Sequence, residues 1–243
     1  MPLNLIIYKI TIIFLFQINL LIAEEGDIFW SYQIPQSGIR STITEDFSGR
    51  IFVGTREVNN GTYDGKLYCF SLNNDNFDSS NPQPLWTFTG ATDFIDSTPA
   101  IGMNGLVYFT SFDSKVYSLN PVNGNLVSSY DTNNFILSSP CIGPNNEIYV
   151  ASSDGFVYCL SADLSQLNWL FYINANVDAS PCLDESGSLI VADTDGNVYS
   201  FNTNSVEEEN RLNWQFQVDL IEGDSPRSPR IRSSPVLNEE GHL

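Results

Sequence analysis

Basic residues are scarce in this chain. Ten lysines and arginines stand against 29 aspartates and glutamates, a formal net charge of −19 over 243 residues. Such a surface repels polyanions, which excludes nucleic acid as a partner and favours solubility or a basic partner. Histidine is scarcer still: His242 stands alone, so no Ser-His-Asp or Cys-His arrangement can be assembled. Cysteine is limited to Cys69, Cys141, Cys159 and Cys182, without the CxxC spacing that suits a metal and without an adjacent pair. Helical periodicity of useful length is missing outside the N-terminus. What the chain has instead is 42% hydrophobic and 13% aromatic content, enough to exclude disorder for its bulk and to fill one large all-β domain.

That content is repetitive. A Ser/Thr-Pro anchor recurs at Pro99, Pro140, Pro181 and Pro235, in steps of 41, 41 and 54 residues, with a weaker copy at Ser41–Thr44 where Ile43 holds the proline position. A second anchor recurs as Asp64-Gly65-Lys66-Leu67-Tyr68, Asp113-Ser114-Lys115-Val116-Tyr117, Asp154-Gly155-Phe156-Val157-Tyr158 and Asp195-Gly196-Asn197-Val198-Tyr199. A third is a tryptophan followed two residues later by an aromatic: Trp30/Tyr32, Trp86/Phe88, Trp169/Phe171 and Trp214/Phe216. Ser128 and Tyr130 hold these positions in the one copy that lacks the tryptophan. Runs such as Ile148-Tyr149-Val150 and Val157-Tyr158-Cys159-Leu160 are β-branched and aromatic, and the Asp-Gly between them is a hairpin signal. Four short strands in about 40–50 residues make a β-propeller blade.

The pattern Ser-Ser-Pro, Ile-Tyr-Val, Asp-Gly-x-Val-Tyr-x-Leu, Asn-Pro-x-x-Gly and Trp resembles the PQQ-like repeat of quinoprotein alcohol dehydrogenases, from which the bacterial outer-membrane assembly propeller is also built. The resemblance covers about four blades, from Trp30 onward. It implies that Trp30, Trp86, Trp169 and Trp214 are docking residues, each seated against a neighbouring blade over a small residue of the third strand. Cys69, Ser118, Cys159 and Ser200 match those small positions. The Ser128 copy is expected to dock less firmly. The family's dehydrogenases hold a quinone on the propeller axis with adjacent cysteines, a stacking tryptophan and a calcium with carboxylate ligands. None of these is matched residue by residue, so no catalytic, cofactor-binding or metal residue is assigned, and PQQ is not supported by the residues present.

In chain order, residues 1–23 are apolar with one positive charge at Lys9, a signal peptide or an uncleaved membrane anchor. Blades are expected at about 39–88, 98–130, 138–172 and 180–217, with a fifth beginning at 233. Four blades, a leading outer strand and a trailing inner strand leave strand edges exposed. The expectation is therefore the N-terminal part of a longer, seven- or eight-bladed ring. The insertions at Glu57–Tyr63, Asn73–Pro84 and Val206–Asn210 are expected as surface loops.

Several motifs reduce to structure. Cysteines at equivalent positions in different blades are expected to lie too far apart to pair and to be buried thiols. Asp93 and Asp96 form a carboxylate pair that acid–base chemistry can use, although loop solvation explains them equally. Asp193-Thr194-Asp195-Gly196-Asn197 resembles a calcium loop at first sight, but its glycine falls fourth rather than sixth, and a turn suffices. Asn60-Gly61-Thr62 is an N-glycosylation sequon in a turn-rich segment. The functional expectation is a secreted or lumenal, non-catalytic scaffold that binds a protein partner or small ligand at its loops. An exported PQQ-dependent oxidoreductase and the lumenal sensor domain of a membrane receptor are the alternatives.

Overall fold

The computed structural model describes residues 17–21, 28–34, 37–59, 61–71, 81–218 and 231–236. It is all-β apart from one 3-10 turn at Glu208–Asn210. Strands β1 (Gln17–Leu21) and β2 (Ile28–Gln33) form an antiparallel ribbon. Of the segment expected as a signal peptide or anchor, only Gln17–Leu21 lies within the described residues.

Four antiparallel sheets follow, and they are the blades of a propeller. The first contains β3 (Ser37–Gly38), β4 (Thr44–Glu45), β5 (Arg50–Gly54), β6 (Arg56–Asn59), β7 (Thr62–Ser71) and β8 (Trp86–Ala91). The other three each have four strands in meander order. These are β9 (Ala100–Ile101), β10 (Val107–Thr110), β11 (Lys115–Leu119) and β12 (Leu126–Asp131); β13 (Cys141–Ile142), β14 (Ile148–Ala151), β15 (Phe156–Leu160) and β16 (Leu167–Tyr172); and β17 (Cys182–Leu183), β18 (Leu189–Ala192), β19 (Asn197–Phe201) and β20 (Leu212–Gln217). Each first strand begins just after its proline, where the missing N–H costs the ladder nothing.

Second strands read as unbroken apolar runs because both faces of each sheet are covered. All four residues of Val107–Thr110, of Ile148–Ala151 and of Leu189–Ala192 are buried. Side chains alternate faces along a strand, so Val107 and Phe109 pack with Phe52 and Leu67 of blade one, while Tyr108 packs with Ile148 and Val150 of blade three. The core is thus a series of seams between blades, each fully buried aliphatic or phenyl side chain contributing about 1.5–3 kcal/mol relative to exposure. On the other face of blade one, Tyr32 of β2 covers Tyr68 and Phe70, its ring 5.1 Å from that of Phe70.

The two residues before the proline position have separate tasks in blades one to three; in blade four the first is Ala179, which has no hydroxyl. The first hydroxyl closes its own blade: Ser41 Oγ donates to Gly54 O (3.2 Å), Ser97 Oγ to Thr110 O (2.8 Å) and Ser138 Oγ to Ala151 O (2.6 Å). The second accepts from the preceding blade. Thr42 N donates to Thr98 Oγ1 (3.2 Å), Thr98 N to Ser139 Oγ (2.8 Å), Ser139 N to Ser180 Oγ (2.9 Å) and Ser180 N to Ser234 Oγ (3.0 Å). This relay runs across all four blades to the anchor at Pro235.

One expected loop is a strand pair. Residues 57–63, read from composition as a surface loop, form a hairpin in which Glu57 pairs with Asp64 and Asn59 with Thr62. Gly61, at φ +87° in the turn, takes a backbone conformation that glycine enters without strain. Ser37–Gly38 adds to its edge through Ser37↔Glu57. Residues 72–80 of the second insertion lie outside the described residues, and the third holds the 3-10 turn.

Candidate functional site

Strand directions alternate, so the second-to-third-strand hairpins and the links to the next blade emerge together at one end of the propeller, the hairpin end. Its backbone is laced between blades: Phe112 N donates to Phe94 O (2.9 Å), Ser153 N to Phe135 O (3.1 Å) and Thr194 N to Asn176 O (2.9 Å). These three equivalent pairs place Phe94, Phe112 and Phe135 in a row.

The hairpin aspartates are turn anchors. Tyr117 donates its hydroxyl to Asp113 (2.7 Å) and Tyr158 to Asp154 (2.6 Å), while the same carboxylates accept Thr92 N (2.9 Å) and Asn133 N (3.1 Å) from the preceding link. In blade four the task passes to Asp193. It is fully buried and accepts Asp195 N (2.9 Å), Asn197 N (2.9 Å), Asn197 Nδ2 (2.9 Å) and the Tyr199 hydroxyl (2.8 Å). The calcium-like sequence is therefore a satisfied turn, and no group of metal-ligating side chains occurs among the described residues. In blade one Glu57 takes the place, accepting from the Tyr68 hydroxyl (3.0 Å) and pairing with Lys66.

Along the row the rings touch: Phe94 and Phe112 have centroids 6.0 Å apart, Phe112 and Phe135 5.4 Å. Tyr63, carried by the added hairpin, meets Phe94 edge-on at 5.2 Å and is 57% exposed. The Arg56 guanidinium lies 4.6 Å over Phe94 and 5.1 Å over Phe112, with both nitrogens of its fork on the Asp96 carboxylate. Asp96 is thus committed to Arg56, and Asp93 Oδ1 accepts its neighbour Phe94 N (2.7 Å). The two carboxylates do not converge as an acid–base pair. Sequence reasoning missed this platform because its rings come from a hairpin and three loops, spread from residue 63 to residue 135 with no local motif.

The tryptophans have different seats. Trp86 stands opposite Cys69, Trp169 opposite Cys159 and Trp214 opposite Ser200. Trp86 Nε1 donates to Pro121 O of blade two (3.0 Å). Gly124, at φ +71°, lies under the indole so closely that a Cβ there would be 2.6 Å from the ring. Trp169 is covered instead by Arg211, whose guanidinium carbon sits 4.3 Å from the ring centre. Trp214 is 43% exposed. Trp30 falls on β2 opposite Leu20, with its side chain outside the described residues. Asn60 and His242 also lie outside them.

The Ser128 seam has its own lock. Tyr108, fully buried, donates its hydroxyl to Ala162 O of blade three. That carbonyl is the counterpart of Pro121 O, so the second strand supplies the donor that the fourth strand lacks. All four cysteines are free thiols. Burial pushes Cys69 and Cys141 up to about 12 and Cys159 up to about 11, which keeps them protonated and unreactive. At the opposite end, Ile101, Met103, Ile142, Pro144 and Leu183 line a shallow cavity of about 590 Å³ with Asp184 at its edge, suited to an apolar group.

No family model matches the sequence, and no curated protein matches it. The structure is similar to the crystal structure of BamB from Moraxella catarrhalis, with a TM-score of 0.54 and 12% sequence identity, over 87% of this chain and 52% of that one. The chain thus spans about half the length of the BamB chain it matches. At this identity the likeness carries the β-propeller fold and nothing finer.

Proposed function

We propose that this chain is a non-catalytic β-propeller scaffold of the secretory pathway, which binds a protein partner across the loops of its hairpin end. The observation that carries this reading is the aromatic row. Phe112 and Phe135 stand at positions where later blades have Ser153, Thr194 and Asn176, so the repeat itself does not require rings there. Aromatic side chains at half-exposed loop positions are what interfaces concentrate. The hairpin that adds Tyr63 enlarges the same surface. In this reading residues 1–23 direct export and Asn60 carries a glycan.

The test is a photo-crosslinking amino acid placed at Tyr63, Phe135 and, on the opposite end, Phe47 of the secreted chain. One protein adduct should form at Tyr63 and Phe135 but not at Phe47, and should form again with that partner purified. Adducts distributed evenly over all three positions, or none at any, would sink the scaffold reading. Digestion with an N-glycosidase should shift the mass of the secreted chain and leave an Asn60→Gln variant unmoved.

A further inference from the structure

The platform carries, in its own structure, a specimen of what it binds. Arg56 lies over the Phe94 and Phe112 rings while its fork is held by Asp96. A guanidinium is planar and weakly hydrated, so it stacks on rings and accepts a carboxylate at its edge at the same time. Half of the platform is used in this way. The row continues to Phe135, tilted 31° against Phe112, with no cation over its ring among the described residues.

Charge at this end points the same way. Among the described residues, Arg56, Lys66 and Lys115 are each in an ion pair, with Asp96, Glu57 and Asp131. Asp93, Asp113 and Asp154, whose hairpins and links carry the row, are in none. A basic occupant is complementary to both the rings and the surplus carboxylates, and a net charge of −19 steers it there.

Resting on the scaffold reading, we propose that the Phe112–Phe135 end of the row receives arginine side chains of a basic segment of the partner protein. Each is stacked as Arg56 is stacked and bonded by the carboxylates of the neighbouring hairpins. The occupant is a peptide segment rich in arginine, distinguished from one rich in lysine by its planar cation.

The experiment uses the full chain and a fluorescein-labelled peptide alternating arginine and glycine, followed by anisotropy at physiological salt, with lysine–glycine and glutamate–glycine peptides beside it. The arginine peptide should bind, the lysine peptide roughly fivefold more weakly and the glutamate peptide not at all. Phe135→Leu should weaken the arginine peptide by roughly five- to tenfold and Phe135→Ala at least as much, with Phe47→Ala unchanged. The leucine keeps the apolar volume, so at least that variant will be readable. Equal binding of the lysine and arginine peptides, binding indifferent to both variants, or no binding to the wild type would each overturn the proposal. If crosslinks to the purified partner persist at Tyr63 and Phe135 in any of those cases, the scaffold reading survives and only the arginine inference falls.

Discussion

The seam between blades one and two and the seam between blades two and three do the same work with different residues. In the first, Trp86 on the fourth strand reaches the Pro121 carbonyl in the following blade. In the second, Ser128 occupies the tryptophan position, and Tyr108 on the second strand reaches the equivalent carbonyl of Ala162. Both donors stand on blade faces covered by the neighbour, and both satisfy a carbonyl of the turn between the third and fourth strands. A lost tryptophan is thus offset by a tyrosine two strands away. At the seam between blades three and four, Tyr149 and Trp169 are both present, their centroids 5.8 Å apart. Arg211 covers the indole there. What is preserved between the first two seams is the bonded turn, not the residue that bonds it.

High pH should have the largest effect, because it acts on every seam alike. Burial raises Cys69, Cys141 and Cys159 to about 11–12, and raises Tyr68, Tyr108, Tyr117, Tyr149, Tyr158 and Tyr199 above the usual phenol range, with hydrogen-bonded carboxylates adding to it at Tyr68, Tyr117, Tyr158 and Tyr199. The unfolded chain releases these protons near pH 8.5–10, roughly. The folded chain holds them, so the stability they provide is intact below about pH 8.5 and lost as pH climbs through the raised values. Thermal unfolding followed by circular dichroism should give a flat Tm from pH 7 to about 8.5 and a steep fall above it. A Tm unchanged at high pH would contradict the buried-phenol account.

Next in size, Tyr108→Ala should cost about 3–5 kcal/mol in urea denaturation, since a fully buried ring is removed. Trp86→Ala should cost less, about 2–3 kcal/mol, because its indole is only half-buried. Tyr108→Phe isolates the hydroxyl and should cost about 1–2 kcal/mol. Were Tyr108→Phe as stable as the wild type, the two seams would not be locked in the same way.

The smallest effect is expected at Arg211. Its side chain is buried, its Nε and Nη1 have no hydrogen-bond partner among the described residues, and desolvation lowers its pKa. Arg211→Met keeps cover over Trp169 without a buried charge and should stay within about 1 kcal/mol of the wild type, or exceed it. Arg211→Ala uncovers the indole and should be the less stable of the two. The reverse order would mean that the guanidinium charge, rather than its area, seats Trp169.

Much of the fold was legible in the chain because the repeat restates it. Pro99, Pro140 and Pro181 set the period, and the buried runs Ile148–Ala151 and Leu189–Ala192 are apolar on both faces. The task of the residues before each proline was not legible, since Ser139 and Ser180 meet across 41 positions and neither is unusual locally. The hairpin at 57–63 was hidden by its polar composition, although Glu57 is buried against Lys66 and Tyr68. The platform was the least visible. Phe94, Phe112 and Phe135 are single aromatics in polar loops, and only the stacking of neighbouring blades turns them into one surface.

The hydroxyl relay also has a direction. Each pre-proline N–H donates to the blade that is made next, never to the one made before. On the ribosome, a newly emerged blade therefore waits with an unpaired donor until the following copy has been translated. A substitution that removes the hydroxyl of Ser180 would leave blade four's own ladder intact while depriving Ser139, in blade three, of its acceptor. Defects in this protein should accordingly be felt one blade upstream of the codon that causes them.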